Sequence, residues 1–181
     1  MRRDGVATAT AVLRLDAPGA RNDESVATDS HAHWSTMFSQ WIRRVRATHY
    51  SIRESVAQES GDALRAERGA IQVIQHMVSR PAIFRHRGKE YDRRVSALTE
   101  LFTASYDNSA TCHLPSWEQL AQHLNHMPEG LKIVHMAVAV CGKTVSEAAS
   151  GTELTSADIP NLLADLEEYL SFGQTTPEGS H

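Results

Sequence analysis

Apolar residues return every three or four positions along most of the chain between residues 30 and 173, which is the spacing of one helix face. The spacing predicts helices over residues 30–60, 62–79, 90–106, 116–126 and 156–173. The first stripe comprises Trp34, Met37, Phe38, Trp41, Ile42, Val45, Ile52 and Val56. The second comprises Leu64, Ile71, Ile74, Met77 and Val78, and the third Tyr91, Val95, Leu98, Leu101 and Phe102.

Polar and helix-breaking residues mark where these helices begin and end. Asp29 or Ser30 can cap the first helix, and Gly61 ends it. Ser116 followed by Gln119 has the spacing of a capping box. Pro160 fits the first turn of the last helix, for which Ser156 or Asp158 marks the start.

Residues 131–141 are apolar on all sides, so periodicity does not distinguish a buried helix from a buried strand. Pro128 before the run and Gly142 after it favour a helix, and "VSEAAS" is typical of a short helical turn. We therefore expect an all-α protein, a bundle of roughly five to seven helices. Its predicted organisation is an N-terminal arm over 1–29, one helical domain over 30–173 and a tail over 174–181.

Composition is ordinary for a globular protein of 181 residues, with 41% hydrophobic and 22% charged residues. No apolar run is long enough to span a membrane, and the N-terminus lacks the apolar core of a secretory signal. Two cysteines, Cys112 and Cys141, form no disulfide framework. These features predict a cytoplasmic protein with free thiols and no membrane partner.

Charge is divided unevenly along the chain. Residues 1–94 hold 16 basic and 11 acidic residues, whereas residues 95–181 hold 2 basic and 11 acidic residues. The two halves could pair within the fold or between subunits. Within the basic half, "SRPAIFRHRGKEYDRR" (79–94) is predicted to be a loop or short hairpin around Gly88.

The candidate site for nucleic acid or another anion consists of nine basic residues: Arg80, Arg85, Arg87, Lys89, Arg93 and Arg94, with Arg43, Arg44 and Arg46 as a second group. Arginine forks bind phosphate or carboxylate bidentately, and Phe84 and Tyr91 could stack on unpaired bases. The competing interpretation is a solvated face paired with Glu90 and Asp92. The acidic chain and the absence of a recognition motif weigh against a dedicated nucleic-acid domain.

Two apolar stripes are candidates for a protein interface as well as for the core: Trp34, Phe38 and Trp41, and Leu162, Leu166 and Leu170. The aromatic stripe is more typical of a core. The last helix also carries an acidic outer face of Asp165, Glu167 and Glu168. That face could contact the Arg-rich segment of another copy.

Three patterns suggest catalysis or metal binding only weakly. "AVAVCGKT" (137–144) satisfies a loose phosphate-loop pattern, but its loop lacks the glycines that let backbone N–H groups surround a phosphate. Arg44 with His49, and more loosely Arg80 with His86, have spacings found in some RNA-cleaving helical domains, although two such pairs are expected by chance. The candidate zinc ligands match no familiar module: Cys112, His113, His123, His126 and His135.

The function predicted from these features is a non-enzymatic helical interaction or assembly protein without a cofactor. Its Arg-rich segment (80–94) would bind phosphate or an acidic partner, and copies could self-assemble as a coat-like or nucleoprotein-like subunit. The alternatives are a regulatory protein that binds RNA or DNA, and a small helical enzyme or metal protein that uses the histidines.

Overall fold

The computed structural model describes residues 23–104 and 114–172, with the backbone alone over 23–30. These ranges contain seven α-helices and no strand, which confirms the all-α prediction. The α-helices are α1 Asp23–Ser60, α2 Ala63–Ser79, α3 Gly88–Ala104, α4 Trp117–Asn125, α5 Glu129–Val134, α6 Val145–Ser150 and α7 Asp158–Leu170. A 3₁₀-helix spans Pro81–Arg85, and a π-helix spans His135–Val140.

The helices α1 and α2 form the central hairpin of the fold. Helix α1 begins at Asp23, before the predicted start at Ser30, so neither Asp29 nor Ser30 is its cap. Gly61 makes the turn with a φ of 68°, and the Asp62 carboxylate accepts hydrogen bonds from two backbone amides of the first turn of α2. This cap satisfies amides that have no partner within the helix.

The core lies between α1, α2 and the helices of the C-terminal half. Its most deeply buried side chains on α2 are Ala66, Ala70, Val73, Ile74 and Met77. Two predicted core residues are exposed instead, Leu64 at 61% and Leu101 at 58%. Leu64 stands two positions before Ala66, about 200° away around the helix, and therefore points outward.

The prediction of a loop or hairpin over 79–94 is wrong. Pro81 begins the 3₁₀-helix, and Gly88, with a φ of 53°, begins α3. Proline is well suited to this place because its fixed φ matches the first helical turn and its missing N–H would have had no partner there. The Arg-rich segment is thus built largely from helix, which fixes the direction of each basic side chain.

Residues 129–140 form one continuous helical rod, so a helix and not a strand occupies the apolar run. Its second half has π-helical hydrogen bonding: the Cys141 amide donates to the Met136 carbonyl five residues back at 2.9 Å. Gly142 then leaves the rod with a φ of 76°. The rod packs against α1, α7 and the 3₁₀-helix.

The remaining predicted helix starts agree with the structure. Ser116 and Gln119 form the capping box of α4, and Thr144 and Glu147 form one for α6. Helix α7 begins at Asp158 and buries Ile159, Leu166 and Leu170. The polar arm before residue 23, the linker with Cys112 and His113, and the tail from Gly173 lie outside the described residues. No helix in the described ranges combines the length and the apolar character needed to cross a membrane.

Candidate functional site

Both groups of basic residues contribute to one surface cleft between α1, the 3₁₀-helix and the π-helix. The cleft has a volume of about 730 Å³, and we call it the Arg cleft. Its apolar lining comprises Met37, Trp41, Phe84, Met136 and Val140. Its polar lining comprises Gln40, Arg44, Arg85, Arg87 and Cys141.

Arg44 is held firmly in the wall of the cleft. Its guanidinium donates to the Phe84 carbonyl at 2.8 Å and to the His86 carbonyl at 2.7 Å. The guanidinium carbon also lies 3.8 Å from the centre of the Tyr91 ring, a close cation–π contact. Because these carbonyls belong to the end of the 3₁₀-helix, Arg44 supplies the hydrogen bonds that this helix end lacks.

Arg85 serves the end of the π-helix in the same way. Its Nε donates to the Val140 carbonyl at 3.2 Å, and Nη2 donates to the Val138 and Ala139 carbonyls at 3.1 and 2.9 Å. The guanidinium lies against Gly142, where an added Cβ would stand 2.9 Å from its central carbon. A cation at this place is favourable because the C-terminal end of a helix carries partial negative charge.

The other basic residues of the Arg-rich segment divide into paired and unpaired groups. Arg93 and Arg94 bind the Glu90 carboxylate at 2.7 and 2.9 Å, and these pairs hold its pKa below the ordinary value. Arg80 lies 3.4 Å from His76. Arg87 and Lys89 are exposed and have no hydrogen bond or ion pair within the described residues. Arg87 therefore stands at the rim of the Arg cleft with its charge unsatisfied.

Arg43 and Arg46 are exposed on α1 and do not line the Arg cleft. Arg44 points into it, since neighbouring positions on a helix diverge by about 100°. The structure thus gathers Arg44, Arg85 and Arg87 from the predicted set of nine and disperses the rest.

Cys141 lines the Arg cleft close to three basic side chains. Burial raises the pKa of its thiol, and the charges of Lys143, Arg85 and Arg87 act in the opposite direction. The cations must lie close to the sulfur to lower its pKa, because salt screens charges that are more than about 10 Å apart. The three cations therefore lower the thiol pKa by less than burial raises it, so the cysteine stays in its neutral form.

The aromatic residues that were expected to stack on bases are part of the core. Phe84 is 4% exposed and Tyr91 is 8% exposed. Burial raises the pKa of the Tyr91 hydroxyl, which lies 2.7 Å from the Thr48 hydroxyl. Neither ring offers a free face to an unpaired base.

The apolar stripes proposed as interfaces also lie mainly in the core. Trp34, Phe38 and Trp41 are between 3% and 5% exposed, and Leu166 and Leu170 are buried. Leu162 is half-buried against the core. Trp41 alone among them contributes to the surface cleft.

The phosphate-loop pattern over residues 137–144 is divided between the end of the π-helix and the turn that leads to α6. Its apolar half belongs to the π-helix, the Thr144 hydroxyl accepts from the Glu147 amide as a helix cap, and the Lys143 ammonium lies 4.8 Å from the Trp34 ring centre. The amides of residues 141–143 donate to π-helix carbonyls and that of Thr144 donates to the Glu147 carboxylate, so they do not surround an anion site.

The histidines of residues 31–104 and 114–172 do not converge on a metal site. In the part of the chain that the structure describes, no group of three or more His, Cys, Asp or Glu side chains is placed to hold a metal ion. The His123 ring stacks on Tyr169 and Phe172, at 4.0 and 4.1 Å between centres. His126 is exposed and contacts the Gln122 carbonyl at 2.8 Å.

Arg44 and His49, the pair with a spacing found in RNA-cleaving domains, serve different neighbours. The His49 ring stacks on Trp117 at 4.1 Å and its Nε2 lies 3.4 Å from Glu67. Burial lowers the pKa of His49, and the Glu67 carboxylate opposes this effect. Arg44 binds carbonyls of the 3₁₀-helix instead, so the pair forms no shared catalytic centre.

His135 lies beneath the cleft with an unusual environment. It is fully buried in the π-helix, its ring centre is 4.3 Å from that of Trp41, and neither ring nitrogen has a partner among the described residues. Burial lowers the pKa of His135 to about 3, so the ring is neutral at ordinary pH.

Sequence reasoning missed Met37, Met136 and Cys141 as cleft residues. Met37 was placed on a core stripe, and no local signal distinguishes a π-helix from an α-helix in an apolar run. The cleft depends on contacts such as that of Arg85 with Val140, which are 55 positions apart in the chain.

No protein-family model matches the chain, no curated protein is significantly similar to it, and no solved structure matches its fold. Functional inference therefore depends on the chemistry of the chain's own residues.

Proposed function

We propose that the protein is a non-enzymatic helical interaction protein that holds an acidic group of a protein partner in the Arg cleft. One observation carries the proposal: Arg87 has no partner among the described residues and stands beside an apolar floor that includes Trp41 and Met136. An exposed cation next to apolar surface suits a carboxylate flanked by an apolar side chain. The two cysteines, with no disulfide framework, favour a reducing cytoplasmic setting.

The arrangement of the basic residues favours a protein partner over nucleic acid. Phosphate backbones require several cations along one track. Here Arg44 and Arg85 bind carbonyls, whereas Arg93 and Arg94 share Glu90. The formal net charge of −4 further opposes a polyanion.

The test is binding of a fluorescein-labelled peptide in which glutamates and leucines are separated by glycines. We expect saturable binding that weakens with salt, and a five- to tenfold weaker affinity in Arg87→Ala, which corresponds to about 1 kcal/mol, the usual net value of one hydrogen bond. Arg93→Ala is the matched control, because it removes the same charge outside the cleft.

Equal losses in the two variants, or no binding of the peptide, would contradict the proposal. A labelled single-stranded RNA serves as the second arm of the experiment. RNA that binds more tightly than the peptide, with Arg93 and Arg94 contributing as much as Arg87, would favour the nucleic-acid alternative.

A further inference from the structure

The acidic outer face of α7 carries negative charge that the described part of the chain leaves unpaired. Asp165 and Glu168 are exposed and make no ion pair with any described residue. Phe172, two residues beyond the helix, is 38% exposed. We call Asp165, Glu168 and Phe172 the acidic ridge; their spacing places them along one side of α7.

The acidic ridge is held rigidly. Tyr169 Oη donates to the His123 carbonyl at 2.6 Å, and Gln75 donates to the Phe172 carbonyl at 3.2 Å. The His123 ring stacks on Phe172. A surface fixed in advance loses little conformational freedom on binding, so weak charge pairs can contribute to affinity.

The Arg cleft and the acidic ridge have complementary chemistry. The cleft offers Arg87, with Lys89 close by in sequence, beside an apolar floor. The ridge offers two carboxylates and a partly exposed aromatic ring, which together satisfy both features of the cleft. Opposite unpaired charges set beside apolar surface favour association and fix its register.

The two surfaces do not meet within one copy. The cleft lies between α1, the 3₁₀-helix and the π-helix, whereas the three ridge residues line a separate groove together with His123 of α4 and Leu131 of α5. The two share no lining residue. Pairing of the ridge with the cleft therefore requires a second molecule.

We infer that the partner at the Arg cleft is a second copy of this chain, which places its acidic ridge against the cleft. This inference rests on the proposed function of the cleft. Because the joined surfaces differ, the contact is head-to-tail, and each copy can both give a ridge and receive one. Such a contact forms rings or open chains and weakens as salt screens the charges.

The test measures the mass of the full chain by sedimentation over a concentration series at low and high ionic strength. We expect oligomers at low ionic strength and monomers at high ionic strength. Arg87→Glu should be monomeric because its cleft is repelled by the ridge. Asp165→Lys/Glu168→Lys should be monomeric because its ridge is reversed. Glu153→Lys is the control, an exposed acid outside the ridge.

An equimolar mixture of the two monomeric variants makes the decisive sample. One variant retains a native ridge and the other a native cleft, and the two altered surfaces again carry opposite charges, so the mixture should recover oligomers that contain both variants in equal amounts. Circular dichroism verifies that each variant keeps its helix content.

Wild-type protein that stays monomeric at low ionic strength would overturn the inference, as would a mixture that fails to pair. Loss of assembly in Glu153→Lys would also overturn it, since net charge alone would then explain the result. If the glutamate–leucine peptide still binds the cleft in these cases, the proposed function stands. If the peptide fails as well, both proposals fail.

Discussion

Arginines occur both in the wall and at the rim of the Arg cleft, but their contacts differ. Arg44 and Arg85, in the wall, donate to carbonyls at helix ends. Arg87, two residues beyond Arg85, has no partner within the described residues. The contrast shows that an arginine-rich sequence is not by itself a binding surface. What each guanidinium reaches in the fold decides whether it stabilises the protein or remains available to a partner.

The largest expected effect is on the free energy of unfolding, and it distinguishes Arg44 from its neighbour Arg43. Replacing Arg44 by Met removes two charge-assisted hydrogen bonds and the stacking on Tyr91. We expect the free energy of unfolding to fall by about 2–4 kcal/mol. Arg43→Met, at an exposed position, should change it by less than about 0.5 kcal/mol. Urea unfolding followed by circular dichroism measures both, and equal losses would contradict the division of roles.

The second effect is a pH dependence that belongs to the buried core beneath the cleft and not to its rim. Burial lowers the folded-state pKa of His135 to about 3, below the unfolded value of 6.5. The neutral ring therefore stabilises the fold fully above pH 6.5, and this stability is lost as pH falls from 6.5 towards 3. From pH 7 to pH 5 the loss is about 2 kcal/mol.

Urea unfolding of His135→Phe and of the wild type at several pH values measures this dependence. The variant should show a shallower decline in the free energy of unfolding below pH 6.5. Some decline should remain, because burial also lowers the pKa of His49. His126→Gln, at an exposed histidine, should keep the wild-type slope. A variant of His135 with an unchanged slope would show that its burial does not control the pH response.

The smallest effect tests whether Arg85 depends on Gly142. Both Gly88 and Gly142 have positive φ, but only Gly142 has Arg85 within contact of an added Cβ. Gly88→Ala should cost about 1–2 kcal/mol, the usual value for a left-handed residue with a side chain. Gly142→Ala should cost about 1 kcal/mol more, because the Arg85 guanidinium must move from the π-helix carbonyls.

A double-mutant cycle sharpens that comparison. In an Arg85→Ala background, the extra cost of Gly142→Ala over Gly88→Ala should vanish. Thermal or urea unfolding of the single and double variants gives the coupling energy. An extra cost that persists without Arg85 would assign the strain at Gly142 to the backbone alone.

Local signals predicted most of the helical architecture. The capping box Ser116–Gln119 lies where the sequence predicts it, since a cap involves residues only three positions apart. The box Thr144–Glu147 has the same spacing but was not predicted. Pro128 and Gly142 likewise favoured a helix over residues 131–141, and the structure confirms it. The start of α1 was predicted too late, because Asp29 and Ser30 can cap a helix but also occur inside one.

The candidate site was less predictable than the fold. Six of the nine predicted basic residues lie outside the Arg cleft, and only Arg44, Arg85 and Arg87 line it. The position of Arg85 against Gly142 depends on how the 3₁₀-helix packs on the π-helix. No periodicity or cap encodes such a long-range contact.

By itself the sequence determined the helical class, most helix boundaries and the division of charge. These properties follow from spacing, caps and composition, which act over a few residues. Tertiary structure alone decided that Arg44 and Arg85 bind backbone carbonyls and that Arg87 does not. It also decided that residues near positions 40, 85 and 140 share one cleft. The physical reason is that a side chain forms hydrogen bonds with the groups that packing brings within about 3 Å. Packing is a property of the whole chain.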